Sequence, residues 1–232
     1  MKLAAFETSG DWCSVAISLD GDIAALEERA GQRQAELALP MLGRLLAEAG
    51  IAAGALDAVA FGAGPGSFTG LRIACGLAQG IAFARDLPVI GVSTLEALAQ
   101  ECGAPRVVAC LDARMREVYY ACLEHDGTAW REVVGARCVA PQSAPVPPGV
   151  GWTGCGAGFA VYPELLAAVA QKILPEVHAS ALAVARLAAP RLAAGEGVDA
   201  AHAAPVYLRD KVALTSQERD RGVAAAAARG KR

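Results

Sequence analysis

Residues 62–72 read Gly-Ala-Gly-Pro-Gly-Ser-Phe-Thr-Gly-Leu-Arg, and the chemistry such a string offers is the holding of an anion. Glycines permit sharp turns and close backbone approach. Ser67 or Thr69 can cap the helix that follows. A glycine-rich loop feeding a helix N-terminus presents amides to a negative charge, with Gly64, Gly66, Ser67, Thr69 and Gly70 as the candidate contacts. The same string also serves as a plain strand-to-helix turn, and both readings stay open. It is not a Walker A loop, because no Gly-Lys-Ser/Thr closes it. It fails the dinucleotide fingerprint as well, because Ser67 stands where the third glycine belongs.

Phosphoryl transfer also needs a carboxylate for magnesium. Glu7 and Asp112 are the candidates, each closing an apolar run. After Glu7, the turn Thr8-Ser9-Gly10-Asp11 can approach a phosphate. After Asp112, the turn Ala113-Arg114-Met115-Arg116 has no glycine, and its long side chains would crowd a nucleotide. Arg114 suits a phosphate or Glu7, and it equally suits a salt-bridged turn with Asp112; the turn is the favoured reading. A nucleophile needs a base within reach. Ser67 and Thr69 have no neighbouring histidine and no Gly-x-Ser-x-Gly elbow, so no catalytic residue is assigned. His125, His178 and His202 form no i,i+3 or i,i+4 pair, so they are expected at the surface and no metal site is expected.

The elements that must position these residues follow in a clear order. Leu3–Thr8 reads as an apolar strand, Cys13–Leu19 as a second, and Asp20-Gly21 as the hairpin turn into a third, Asp22–Arg29. Gln32–Ala49 is helical, Leu56–Phe61 a buried strand, and Leu71–Ala84 a second helix. Pro88–Val92 is a strand, and Ser93 caps a third helix to about Cys102. The order is βββαβαβ, placed in an N-terminal lobe of residues 1–103. A second lobe, 104–214, repeats the opening: Arg106–Leu111, Glu117–Glu124 and Thr128–Val139 are strands. Asp20 and Asp126 begin Asp-Gly turns 106 residues apart, and Glu7 and Asp112 stand 105 apart. Two independent markers with nearly one offset predict an internal duplication. The second copy is worn: Pro141–Pro148 is a loop where a helix is due, and Gly149–Thr153 is expected as a strand before a glycine-rich turn. Ala179–Ala194 is helical, with Pro190 expected to kink or shorten it. Residues 215–232 are expected to be a disordered tail.

Composition sets the bounds. The chain has 232 residues, 54% hydrophobic, with a formal net charge of −3. That is enough to bury a sizeable core, and no strongly basic field advertises RNA binding. Seven cysteines without a Cys-x-x-Cys pair read as free, largely buried thiols in a reducing compartment. Glu7 and Asp11 interrupt the N-terminus before a leader-like apolar region forms, and no stretch reaches the ~18 apolar residues of a membrane helix. The expectation is a soluble, cytoplasmic protein.

The first two helices are greasier than one core contact requires. On the first, Leu37, Met41, Leu45, Leu42, Leu39, Leu46 and several alanines cover an arc of about 200°, where about 100° suffices. The second has only Arg72 and Gln79 as polar residues, and Gly76, Ala78 and Gly80 permit close helix approach. Such helices are covered either by their own domain or by a partner.

Several strings carry a family resemblance. Gly64-Pro65-Gly66-Ser67-Phe68-Thr69-Gly70-Leu71-Arg72-Ile73 closely resembles the signature of the TsaB (YeaZ) family. Phe6-Glu7-Thr8-Ser9, Asp112-Ala113-Arg114 with Glu117-Val118-Tyr119, and Pro205-Val206-Tyr207-Leu208-Arg209 extend the resemblance over residues 1–210. It implies an α/β fold, the duplicated βββαβαβ plan of actin-like ATPases and sugar kinases (ribonuclease H-like), with a degenerate second lobe. It further implies a non-catalytic partner subunit of a TsaD-like enzyme that moves threonylcarbamoyl from its adenylate to the tRNA adenosine beside the anticodon. A TsaE-like ATPase and the tRNA would be met through that complex, and the chain would form a homodimer when alone. Contact with the partner would run through the two helices, with Leu37, Met41, Leu42, Leu45, Leu71, Arg72, Cys75, Ala78, Gln79 and Ala82 as the expected surface. No cofactor is expected to be held tightly by this chain, with ATP or ADP only at a partner interface. The sequence departs from the family where Gln34 and Ala35 stand in place of a frequent histidine and serine. The competing reading is an autonomous kinase, ATPase or peptidase of the same superfamily.

Overall fold

The computed structural model describes residues 1–209; the expectations for 210–232, including the tail, lie outside the described residues. Strands β1 (Lys2–Glu7), β2 (Trp12–Leu19) and β3 (Asp22–Arg29) form an antiparallel meander, followed by α1 (Gln34–Glu48), β4 (Ala58–Gly64), α2 (Phe68–Phe83), β5 (Val89–Ser93) and α3 (Thr94–Cys102). The second half runs β6 (Arg106–Asp112), β7 (Val118–His125), β8 (Trp130–Val139), β9 (Thr153–Cys155), α4 (Ala157–Val161), α5 (Pro163–Leu166), β10 (Lys172–Leu174) and α6 (Ala181–Ala193).

The sheet orders are β3-β2-β1-β4-β5 and β8-β7-β6-β9-β10. In both, the first three strands are antiparallel and the last two join in parallel. The duplicated α/β plan expected from the turn spacing is therefore the fold, and its second copy is degenerate. A short 3-10 turn, Pro141–Ser143, replaces the first helix, and β9 and β10 have only three residues each. Prolines 141, 145, 147 and 148 remove the amides that a helix would need there. The expected strand at Gly149–Thr153 instead starts at Thr153, because Gly149 and Gly151 hold φ of +80° and +85°, a conformation no strand uses. α6 continues one turn past Pro190 before it stops.

The two halves exchange helices. On one face of the first sheet, Phe6, Val15, Val59 and Phe61 pack under α1 and α2. On the other face, Leu3, Ala5, Ala16, Ala58 and Ala60 pack against Ala181, Val184, Ala185 and Ala188 of α6, which comes from the second half. Conversely, Leu95, Leu98 and Ala99 of α3 pack on Val107, Ala109, Ala121 and Cys155 of the second sheet. Alternate residues of β1 thus serve two cores. The small side chains on the α6 side let helix and sheet approach closely.

The approach to α6 carries an ion pair. His178 stacks on Trp12 with centroids 4.5 Å apart and rings 7° from parallel. Its Nε2 lies 3.4 Å from Glu27 of β3. His178 is therefore half-buried rather than a free surface group, and its hydrogen bond with Glu27 raises its pKa above the usual histidine value. A raised folded-state pKa stabilises fully below the unfolded value of about 6.5 and is lost as pH rises through the folded value. Between about pH 6 and 8, the wild type should therefore lose more thermal stability than His178→Ala. Parallel melting curves for the two proteins would show that the pair contributes nothing.

Candidate functional site

The glycine loop forms where β4 runs out at Gly64 and α2 begins at Phe68. Ser67 caps α2, its Oγ accepting from the Gly70 amide at 3.3 Å. Gly64 has φ +115° and precedes a cis peptide to Pro65. Of the loop's glycines only Gly64 needs its backbone freedom; Gly66 and Gly70 are there for closeness. A Cβ on Gly70 would fall 2.0 Å from the Thr8 carbonyl oxygen, and one on Gly66 would fall 2.6 Å from the Ser9 Cβ. Two residues back, within β4, a Cβ on Gly62 would fall 1.8 Å from the Glu7 carboxylate.

The first turn packs directly against the glycine loop. Ser9 accepts at its carbonyl from the Ser67 amide at 2.7 Å. Thr8 Oγ1 donates to the Gly70 carbonyl at 2.7 Å. Glu7, at the end of β1, is buried and accepts from the Ser9 amide at 2.7 Å and from the Thr94 hydroxyl at 3.4 Å. Burial pushes its carboxyl pKa up, while the bonds from Ser9 and Thr94 pull the other way. Glu7, Thr8, Ser9, Gly66, Ser67 and Gly70 are thus brought together, but as a closed seam between turn and loop. The absence of side chains at Gly66 and Gly70 admits the chain's own backbone. Thr69 is exposed at the first turn of α2.

Asp112 and Arg114 do form the salt-bridged turn: Asp112 accepts from the Arg114 amide at 2.9 Å and from its guanidinium at 3.3 Å. Arg114, Met115 and Arg116 all have positive φ, at 59°, 53° and 61°. Among the described residues, no group of three or more His, Cys, Asp and Glu could hold a metal.

A strap that sequence reasoning left unplaced joins the two halves. The Val206 amide donates to the Ala63 carbonyl at 2.7 Å, and Gln79 donates to the Ala203 carbonyl at 3.0 Å. Tyr207 accepts from Arg72 Nε at 3.2 Å. Arg209 then reaches the second half, pairing with Glu117 below the Tyr119 ring. The Pro205–Arg209 string gave no chemical signal because its task is to span.

Most of the helical residues expected at a partner surface are buried in this chain instead. Leu42, Leu45, Leu71, Cys75, Ala78 and Ala82 are buried in the chain's own core. Leu37 and Met41 are half-buried against that core, and Gln79 is half-buried and tied to the strap. Of the ten expected contacts only Arg72 is exposed. A helical wheel gives the width of an apolar arc but not which part meets the sheet. The open face is Leu39, 51% exposed, with Gly43 on α1, and Gly76, Gly80 and Phe83, 75% exposed, on α2. A Cβ on any of these three glycines would meet nothing within 4 Å. Mid-helix glycine costs about 1 kcal/mol relative to alanine. Gly76 and Gly80 are the two that the sequence already marks for close helix approach, and Gly43 is the one it missed.

Comparison with known proteins covers most of the chain. The family model described as TsaD, tRNA N6-adenosine threonylcarbamoyltransferase, matches residues 27–217. The chain is 36% identical to the tRNA threonylcarbamoyladenosine biosynthesis protein TsaB of Escherichia coli, over 92% of this chain and 96% of that protein. It is 34% identical to the Haemophilus influenzae protein of the same name, over 91% and 95%. The solved structure of YeaZ from Pseudomonas aeruginosa superposes with a TM-score of 0.85 at 41% identity, covering 89% of this chain and 99% of that one.

Proposed function

The chain belongs to the TsaB (YeaZ) family of tRNA threonylcarbamoyladenosine biosynthesis proteins, and we propose that in this biosynthesis it is the non-catalytic partner of a TsaD-like subunit. The observation that carries the reading is the open, glycine-notched face of α1 and α2 beside a glycine loop closed by its own first turn. Gly43, Gly76 and Gly80 let a second pair of helices approach at backbone distance, and Leu39 and Phe83 supply apolar anchors. Two helices from each side make a four-helix contact at a shallow crossing angle of about 20°. The same face serves a homodimer when the chain is alone, because an isologous pairing uses one patch twice.

The TsaD-like subunit then transfers threonylcarbamoyl from its adenylate to the tRNA adenosine beside the anticodon. A TsaE-like ATPase and the tRNA join through the complex. The seam of Glu7, Thr8 and Gly70 supports a chain that holds no nucleotide by itself; ATP or ADP binds only where the partner completes a site.

The purified chain should neither turn over ATP nor modify tRNA. Added to a TsaD-like subunit with threonylcarbamoyl-adenylate and tRNA, it should raise the yield of modified nucleoside read by mass spectrometry. Steady ATP turnover by the isolated chain, lost on Glu7→Ala, would overturn this and establish an autonomous enzyme.

A further inference from the structure

Two of the chain's seven cysteines meet at the boundary between its halves. Cys102 ends α3, and Cys155 ends β9 of the second sheet. The Cys155 Sγ donates to the Leu98 carbonyl at 3.7 Å. In an α-helix that carbonyl serves the amide four residues on, which here is the amide of Cys102. α3 rides close to the strand at this point: a Cβ on Gly156 would fall 2.7 Å from Leu98 Cδ2. The two thiols are hydrogen-bonded to each other, in the apolar layer between α3 and the second sheet. Their exposure differs. Cys155 is fully buried, whereas Cys102 is half-buried beside the exposed Gly103. Donation from Cys155, helped by the Ala104 amide and the Lys172 charge, draws the Cys102 thiol below its ordinary pKa in spite of burial. The same bond, together with burial, raises the Cys155 thiol. The other five cysteines lack this setting, and burial raises the thiols of Cys13, Cys75, Cys110, Cys122 and Cys138. Cys110, on the strand beside β9, faces the core on the opposite side of the sheet.

We propose that Cys102 is an oxidation site for a peroxide, with Cys155 as the thiol that resolves it into an internal disulfide. The thiolate is the reacting form, and Cys102 combines thiolate character with access. A peroxide is small enough to reach a half-buried sulfur. The Cys102 Sγ attacks one peroxide oxygen, and the O–O bond breaks. The departing hydroxide takes the proton that Cys102 gave up and leaves as water, and Cys102 becomes a sulfenic acid. The Cys155 Sγ then attacks the Cys102 Sγ and the S–O bond breaks. The hydroxyl leaves as a second water with the Cys155 proton. Two thiols are thus oxidised to one disulfide, and one peroxide is reduced to two waters. A sulfenic acid beside a ready thiol condenses with it instead of oxidising further. The bond closes residues 102–155 into a loop that holds β6, β7 and β8, and pins the last helix of the first half to the second sheet.

The test uses the full chain, with Cys102→Ser and Cys155→Ala as variants. Each protein is reduced, freed of reductant and given a small excess of hydrogen peroxide. By thiol titration the wild type should lose two of its seven thiols. The loss should be at least about tenfold faster than any loss in Cys102→Ser, which lacks the low-pKa sulfur. Mass spectrometry should show two hydrogens gone and a tryptic link between residues 86–106 and 138–172. Fragmentation should place the bond at Cys155 rather than at Cys138 on the same peptide, and dithiothreitol should restore both thiols. Cys155→Ala should stop at the sulfenic acid, read as a dimedone adduct on Cys102. Thiol loss at the same rate in Cys102→Ser overturns the proposal, as does a link to Cys138. So does a wild type whose Cys102 stays reduced, or passes to the sulfinic acid with no link formed. If Cys155→Ala fails to fold, Cys102→Ser and the wild-type peptide map still decide.

Discussion

Leu39→Asp should leave the protein folded and abolish its association with the partner subunit, whereas Leu46→Asp should unfold it. The two leucines lie on one helix, seven residues apart, yet Leu39 is 51% exposed and Leu46 only 6%. An aspartate at Leu39 stays hydrated in the free chain and must be stripped of water when a helix packs on it. An unpaired buried carboxylate costs several kcal/mol, and a central anchor can carry more than about 2 kcal/mol of binding. At Leu46 the same penalty falls on folding, against a total stability of about 5–15 kcal/mol. Melting curves and co-elution with the TsaD-like subunit separate the outcomes. Gly76→Leu adds a mirror test: the position is exposed and its new Cβ meets nothing within 4 Å, so folding should hold while the notch fills and association is lost. Normal association by Leu39→Asp and Gly76→Leu would place the contact elsewhere.

Gly70→Ala should strongly destabilise the protein. The added carbon falls 2.0 Å from the Thr8 carbonyl oxygen, a backbone atom that cannot swing aside. Relief requires parting the first turn from the loop, which breaks the Thr8–Gly70 and Ser67–Ser9 hydrogen bonds together. Overpacking of this kind costs about 3 kcal/mol or more, a fall in Tm on the order of 10 °C for a chain of this size. Gly10→Ala is the control, because its Cβ meets nothing within 4 Å. If Gly70→Ala melted with the wild type, the seam would have to open freely. A phosphate-sized gap would then be within reach, and the loop's anion chemistry would return.

What was legible in the sequence was local. Asp20-Gly21 and Asp126-Gly127 marked the two hairpins because such turns demand particular residues. Ser67 and Ser93 read as caps, and both accept from amides three residues on. The repeat was legible because two markers shared an offset. What was hidden depends on partners distant in sequence. Nothing in Gly66 or Gly70 says that Thr8 and Ser9 are the atoms they admit. Leu42 and Leu39 are equally apolar on paper, and only the sheet beneath separates them. Gly149 to Thr153 looked extended until two glycines took left-handed turns. The exchange of α3 and α6 gave no sequence signal, because either helix is amphipathic enough for either sheet.

That exchange governs how the protein emerges from the ribosome. Residues 1–102 contain every strand of the first sheet, yet the cover for one of its faces, Ala181–Ala193, arrives some ninety residues later. At about 5–20 residues per second, the nascent chain carries an apolar face of Leu3, Ala5, Ala16 and Ile90 uncovered for on the order of ten seconds. Until then, folding upstream stays provisional. A premature stop before codon 181 leaves a fragment with that face bare, and the alanine-rich seam that packs so closely in the finished molecule becomes a target for chaperone capture or proteolysis.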